Sequence, residues 1–306
     1  MDYVRVTDVS PRDGLQNEQG IIPTQDKVRL IELLCETGVD EVEVTSFVSP
    51  KWVPQLGDAR EVCKALISNH QQHTTRPLFS ALVPNSQGLA SFLDTKKPSP
   101  LLSKVSVFAA ASETFSRKNT NASINEVLAR FVPVIEESHK HNLEVRAYIS
   151  CVIACPFEGP IAPAQVVRVA EKLLDMGADE IDLGDTIGAA TPSTTKALLN
   201  EYNALDEVAD PDVPITLHLH DTFGHAADCV KTALELGIRS FDSSVAGLGG
   251  CPYASTPGKR APGNISTELL VRTIHAAGYK TNVDLDKLEL AATFARDIVA
   301  KSRASS

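Results

Sequence analysis

Two patterns alternate along the chain. In short runs polar and apolar positions trade places with period two, and between them apolar positions recur three and four apart. The run Thr216-Leu-His-Leu-His220, opened by Pro214, shows the first pattern. Alternate strand side chains point the same way, so His218 and His220 share one face. Comparable runs cover Val4–Val9, Glu41–Ser46, Leu78–Val83, Lys104–Ala109 and Glu144–Ser150, with others starting at Glu180 and Ser240. The helical spacing first appears after Pro23, where Thr24 is the expected N-cap and Val28, Ile31, Leu34 and Cys35 form an apolar face that Gly38 stops. Further helices are predicted over Asp58–Ile67, Ser123–His141 (opened by the capping box Ser123-Ile-Asn-Glu126), Pro163–Met176, Pro192–Leu205, Ala226–Leu236 and Thr267–Ala277. A last helix spans about Leu285–Lys301.

One unit recurs: a helix end, a glycine, a short link and a strand. It is seen at Glu36-Thr-Gly38 before Glu41, Asp175-Met-Gly177 before Glu180, and Glu235-Leu-Gly237 before Ser240. The whole reads as eight strands, each followed by a helix, which predicts an α/β (β/α)8 TIM barrel with an extra C-terminal helix. No Ser/Gly/Pro-rich linker divides the chain, so residues 1–306 are expected to form a single catalytic domain. An open doubly wound sheet would carry a glycine-rich turn after its first strand, and Ser10-Pro-Arg-Asp-Gly14 is not one.

Charge narrows the partners. Among 306 residues, 29 Lys+Arg face 39 Asp+Glu, a net charge of −10. That argues against nucleic acid and anionic membranes, while a local cation cluster could still meet an anionic small molecule. No stretch is apolar and long enough to span a bilayer. Met1-Asp-Tyr-Val4 runs straight into a strand without a targeting segment. The six cysteines (Cys35, Cys63, Cys151, Cys155, Cys229 and Cys251) form no CxxC, and most sit in apolar runs. These features predict a reduced, cytoplasmic protein.

In such a barrel chemistry gathers at the C-terminal ends of strands. There the chain offers Arg12, Asp13 and Gln16; Glu43, Thr45 and Ser46; Arg146 and Tyr148; Asp182, Asp185 and Thr186; His218 and His220; then Val245-Ala-Gly-Leu-Gly-Gly-Cys251-Pro-Tyr253, with Asn264 beyond. Each has a structural alternative: Asp13 as a turn residue, Arg12 with Glu43 as an ion pair, Asp185 as a helix cap, Cys251 as a loop thiol, the histidines as satisfied core residues. Gathered on one rim, they predict a catalytic metal site. Asp13 offers a carboxylate oxygen, His218 and His220 two nitrogens, and Asn264 an amide oxygen. This mixed set suits Mg²⁺ or Mn²⁺, and Zn²⁺ or Co²⁺ also fit it.

The runs Ser10-Pro-Arg-Asp-Gly-Leu-Gln-Asn-Glu18, Thr45-Ser-Phe-Val-Ser-Pro-Lys-Trp-Val-Pro-Gln55, Leu183-Gly-Asp-Thr-Ile-Gly188, His218-Leu-His-Asp-Thr222 and Val245–Tyr253 together resemble the 3-hydroxy-3-methylglutaryl-CoA lyase family, and do so over nearly the whole chain. The resemblance implies a divalent-metal-dependent lyase that cleaves its acyl-CoA substrate to acetyl-CoA and acetoacetate. It implies metal ligation by Asp13, His218, His220 and Asn264, with His218 also a candidate proton acceptor. It further implies enolate stabilisation by Arg12, an acid/base role for Cys251 on a mobile loop, and active-site carboxylates at Glu43 and Asp185. Gln16 and Ser46 fall on the same rim as substrate contacts, and a homodimer is expected. Two features depart from the family's pattern: Gln19 stands where many members carry Lys, and the segment between Tyr253 and Asn264 is longer, adding Lys259 and Arg260. The stretch 247–264 is expected to be a lid whose two added cations meet the anionic ligand. Lyases for related 3-hydroxy-3-alkylglutaryl thioesters, Claisen-condensing acyltransferases of the same superfamily and a non-catalytic metal-binding barrel are the alternatives.

Overall fold

A computed structural model describes residues 2–69, 77–96, 101–204, 213–250 and 262–304. Eight parallel strands close into a barrel: β1 (Arg5–Asp8), β2 (Glu41–Ser46), β3 (Leu78–Leu82), β4 (Leu102–Ala110), β5 (Glu144–Ser150), β6 (Glu180–Asp185), β7 (Ile215–Leu219) and β8 (Ser240–Ser243), with β8 returning beside β1. The helices between them are α1 (Thr24–Thr37), α2 (Ala59–Asn69), α3 (Ser86–Lys96), α4 (Glu113–Thr120), α5 (Ile124–Lys140), α6 (Pro163–Asp175), α7 (Pro192–Asn203), α8 (Ala226–Glu235) and α9 (Thr267–Ala276). A final helix, α10 (Leu285–Ala304), packs against α1. The fold is the predicted TIM barrel with its extra helix.

The period-two pattern places Val42, Val44, Val105, Val107, Val145, Ala147, Ile149, Ile181 and Leu183 on the helix side of the sheet, all buried. Burial of this kind contributes about 1.5–3 kcal/mol for each large aliphatic side chain. The alternate positions face inward and carry charge. Lys104 Nζ donates to Glu41 Oε2 at 3.1 Å and also reaches Glu180. Arg146 reaches Thr7 at 3.2 Å, Glu41 at 3.2 Å, Glu180 at 2.8 Å and Asp242 at 3.0 Å. Branched aliphatics usually fill a barrel of this size. Here two buried cations and three carboxylates replace them, so removal of either cation would strand buried charge.

The recurrent glycines that end helices, Gly38, Gly177 and Gly237, have φ of 87°, 94° and 95°. A side chain there would be strained, which explains the repeated stop before a strand. Three local expectations are corrected. The N-cap of α1 is Pro23, not Thr24; Thr24 already lies in the helix, and its hydroxyl donates to Asp58 Oδ2 at 2.7 Å. Helices α3 and α4 stand outside the helices expected from the apolar spacing. Helix α3 contains Gly88 and buries few apolar side chains, while α4 buries one large side chain, Phe115, and is fixed by Ser112, whose Oγ accepts from Phe115 N at 3.0 Å.

Candidate active site

The first segment of the candidate site is a widened turn after β1. Asp13 N bonds Val9 O at 2.8 Å, Gly14 N reaches the same carbonyl at 3.2 Å, and Leu15 N bonds Ser10 O at 3.0 Å. Such five-residue turns recur at functional sites because they push out side chains that a tighter helix would stagger. The turn is secured by Asp8, which accepts from Ser10 N at 2.9 Å, Ser10 Oγ, Val245 N at 3.0 Å and Thr267 Oγ1 at 2.7 Å. One buried carboxylate thus joins the turn, the exit of β8 and the start of α9. Burial pushes its pKa up to about 6 against those four donors.

Arg12 and Asp13 leave this turn toward the barrel axis. Arg12 Nε pairs with Glu43 on β2, Nη1 donates to Asp13 Oδ1 at 2.8 Å, and the guanidinium lies 5.2 Å from the centre of the Tyr148 ring on β5. Its Nη2 has no acceptor among the described residues. Burial disfavours the Arg12 charge, but Glu43 and Asp13 outweigh it and raise the pKa. Asp13 Oδ1 also accepts from Gln16 Nε2 at 2.6 Å. Burial pulls the Asp13 carboxyl upward, and Arg12, His218 and His220 together hold it below its ordinary value. Glu43 keeps one buried oxygen without a partner, while the other accepts from Tyr148 Oη at 3.2 Å.

The histidines come from the end of β7. His218 Nε2 and His220 Nε2 face each other at 3.3 Å, and Asp13 Oδ2 lies 4.0 Å from His218 Nε2. Burial, then the neighbouring His218, lowers the His220 pKa to about 4, so His220 is neutral at physiological pH. Asn264 meets them through an antiparallel bridge to His220; its Nδ2 donates to Asp13 Oδ2 at 2.7 Å and to Leu248 O at 3.1 Å. Gly249 makes this approach feasible: at φ 103°, a Cβ there would sit 2.7 Å from Asn264 Nδ2 and 3.3 Å from Asp13 Oδ2.

Asp13, His218 and His220 each offer a ligand atom, all within 4.8 Å of one another. Asn264, whose Nδ2 reaches Asp13, keeps a buried Oδ1 without a hydrogen-bond partner. Two facing imidazole nitrogens, a carboxylate held ionised and an orphaned amide oxygen form a donor set that fits a divalent cation. These residues are a candidate metal site.

The remaining predicted positions divide. Asp185, at the end of β6, accepts from Ala189 N at 3.0 Å and Ala190 N at 2.8 Å, and burial raises its pKa to about 6. It therefore ties down the turn that precedes α7, whose N-cap is Thr191 and not Asp185, while standing on the same rim. Ser46 is buried at the end of β2 with no partner for its hydroxyl. Cys251, Lys259 and Arg260 lie outside the described residues, as does most of the expected lid. Gly250, at its near end, accepts from Asn17 Nδ2 at 3.2 Å. Sequence reasoning missed Asp8 and Asp242. Asp242 Oδ2 lies 3.1 Å from His218 Nδ1, and the alternation of Ser240-Phe-Asp-Ser243, which points it inward, is the available signal.

A parallel eight-stranded barrel with a histidine pair and a carboxylate at its carboxyl rim defines a TIM-barrel enzyme with a candidate divalent-metal centre. Comparison with known proteins narrows that class. The HMGL-like family model matches residues 3–294, and the chain belongs to that family. It is 43% identical to the cytoplasmic 3-hydroxy-3-methylglutaryl-CoA lyase of Rattus norvegicus, covering 98% of this chain and 82% of that one. It is 45% identical to the mitochondrial hydroxymethylglutaryl-CoA lyase of Bos taurus over 95% of this chain and 84% of the relative. The crystal structure of the HMG-CoA lyase from Brucella melitensis superposes with a TM-score of 0.89 at 40% identity, covering 98% and 100% of the two chains.

Proposed function

We propose that this enzyme cleaves 3-hydroxy-3-methylglutaryl-CoA into acetyl-CoA and acetoacetate. The observation that carries the reading is the convergence of Arg12, Asp13, His218, His220 and Asn264 on one rim in a member of this family. Asp13, His218, His220 and Asn264 would hold the metal, taken as Mg²⁺ or Mn²⁺ from the mixed oxygen and nitrogen donor set. When bound, such an ion supplies Lewis acidity and a template for substrate oxygens.

The reaction removes the proton of the 3-hydroxyl and breaks the bond between C2 and C3. The hydroxyl-bearing carbon becomes the ketone of acetoacetate, and the electron pair passes into a thioester enolate. Arg12 is assigned to receive that charge. Glu43 and Asp13 engage Nε and Nη1 of its guanidinium and leave Nη2 unclaimed, a preorganised donor that does not titrate. Protonation at C2 then releases acetyl-CoA, a step assigned to Cys251 on the lid over 247–264. The hydroxyl proton is assigned to His218 or to Asp13 through water, as alternatives. Glu43 and Asp185 keep the rim anionic around them, and Gln16 and Ser46 contact the substrate. Lys259 and Arg260 meet the CoA phosphates or the free carboxylate.

Residues 1–306 are taken as one catalytic domain, working as a homodimer. Relatives are named for both the cytoplasm and the mitochondrion, and this reading places the enzyme in the cytoplasm. Among the described residues no helix is long and apolar enough to cross a membrane. The decisive experiment incubates the purified protein with Mg²⁺ or Mn²⁺ and hydroxymethylglutaryl-CoA and measures acetoacetate. Stoichiometric acetoacetate and acetyl-CoA, abolished by chelation, is expected; no product with either metal would refute the assignment.

A further inference from the structure

We propose that Asp242 is the positioning residue that fixes the tautomer and ring plane of His218, with Nδ1–H directed to Asp242 and the Nε2 lone pair directed into the candidate metal site. The inference rests on the metal reading above for its consequence, but not for its geometry. Asp242 on β8 and His218 on β7 are paired partners in the sheet, and both side chains point into the barrel. The bond between His218 Nδ1 and Asp242 Oδ2 is 3.1 Å, and Asp242 is buried. A carboxylate only accepts, so the proton of a neutral His218 must lie on Nδ1. Nε2 is then the atom left for a ligand, and it is the atom that faces His220 and Asp13.

Asp242 is itself held in place. Arg146 Nη1 donates to Oδ1 at 3.0 Å, and Tyr148 Oη lies 3.3 Å from Oδ2. Burial works against the Asp242 charge, while Arg146 and His218 overcome it and keep the carboxyl below its ordinary range. The Tyr148 ring meets the His218 ring edge-on with centroids 6.1 Å apart, which limits rotation of the imidazole. Among the described residues no carboxylate reaches Nδ1 of His220. The two histidines are thus unequal: a carboxylate stands behind the Nδ1 of His218 and none behind that of His220.

Asp182, Asp242 and His218 also present ligand atoms within 4.8 Å of one another. A second cation there would need the Nδ1 lone pair, which the bond to Asp242 has already converted to N–H. Asp182 is buried beside Asp242, and burial with that neighbour raises its pKa well above the usual range. It does not touch Nδ1, and Asp182→Asn serves as the control.

The test has two readouts besides turnover. In metal-free, ¹⁵N-histidine-labelled protein at pH 8, long-range ¹H–¹⁵N correlation is expected to show the Nδ1–H tautomer for the residue whose signals vanish in His218→Gln. Mn²⁺ binding, followed by the EPR signal of free ion, is expected to weaken about 10–100-fold in Asp242→Asn and to stay unchanged in Asp182→Asn. An Nε2–H tautomer in the wild type overturns the proposal, as does unchanged Mn²⁺ affinity in folded Asp242→Asn. Two Mn²⁺ per chain, one lost in Asp182→Asn, would also overturn it by giving Nδ1 to a second cation. If Asp242→Asn does not fold, the wild-type tautomer still decides. A wild type that binds no Mn²⁺ refutes the metal reading while leaving the tautomer measurement intact.

Discussion

Replacing Arg12 with Lys separates catalysis from structure at this site. The guanidinium uses Nε for Glu43 and Nη1 for Asp13 at 2.8 Å, and it stacks 5.2 Å above Tyr148 with Nη2 unclaimed. Lysine brings one compact ammonium in place of a planar fork. Its three N–H groups rotate freely, and an ammonium drawn to Glu43 or Asp13 no longer holds an N–H where Nη2 stands. Loss of one preorganised oxyanion donor costs about 10²–10³ in kcat, or about 2.7–4 kcal/mol. The positive charge is retained, so the stability loss is limited to one buried charged hydrogen bond, about 1.5–3 kcal/mol. Steady-state turnover, with acetoacetate coupled to NADH oxidation, separates kcat from KM, and urea unfolding measures stability. The expected result is a kcat lower by about two to three decades with a smaller change in KM. A near-normal kcat with reduced stability would show that Arg12 forms only an ion pair and that the enolate charge is met elsewhere.

Other perturbations address separate parts of the site. His220→Ala is expected to abolish tight Mn²⁺ binding and turnover while leaving far-UV circular dichroism unchanged; full metal occupancy would remove His220 from the ligand set. Gly249→Ala forces a Cβ to within 2.7 Å of Asn264 Nδ2 at a φ of 103°, and is expected to weaken metal binding as Asn264 moves. Its test is metal affinity beside thermal stability, and a variant normal in both would show that the turn relaxes freely. Asp8, with its pKa raised to about 6, is protonated more readily folded than unfolded, so its stabilising contribution is present at low pH and is lost as pH rises from about 4 to about 6. Between pH 5 and pH 7 the unfolding free energy of wild type relative to Asp8→Asn is expected to fall by about 1 kcal/mol; a difference independent of pH would place the Asp8 pKa near its ordinary value. On the lid, Cys251→Ser is expected to lower kcat while substrate still binds, and the Lys259→Ala/Arg260→Ala double variant to raise KM and flatten its salt dependence. Unchanged kinetics in either case would remove those residues from the site.

What the chain reveals before folding depends on whether a residue's environment is set locally or by closure of the barrel. His218 and His220 were legible because period two alone puts them on one face, and the barrel followed from repeated helix–glycine–strand units. The inward charges were visible as letters but not as a network. Glu41, Arg146 and Asp242 lie on three different strands, and only ring closure brings Arg146 within 3.2 Å of one and 3.0 Å of the other. Asp8 behaves in the same way, since its partners at Val245 and Thr267 come from the far end of the chain. The helices that escaped notice are those whose stability comes from caps and docking rather than from an apolar stripe. This division has a physical consequence for the site. Asp13 is supplied by a turn that Asp8 ties to the end of the barrel, and His218 is held through Asp242 by Arg146, which is in turn braced by Glu41 and Glu180. The geometry at the rim therefore depends on ion pairs in the barrel interior. Substitutions there should disturb metal affinity even where no ligand is touched.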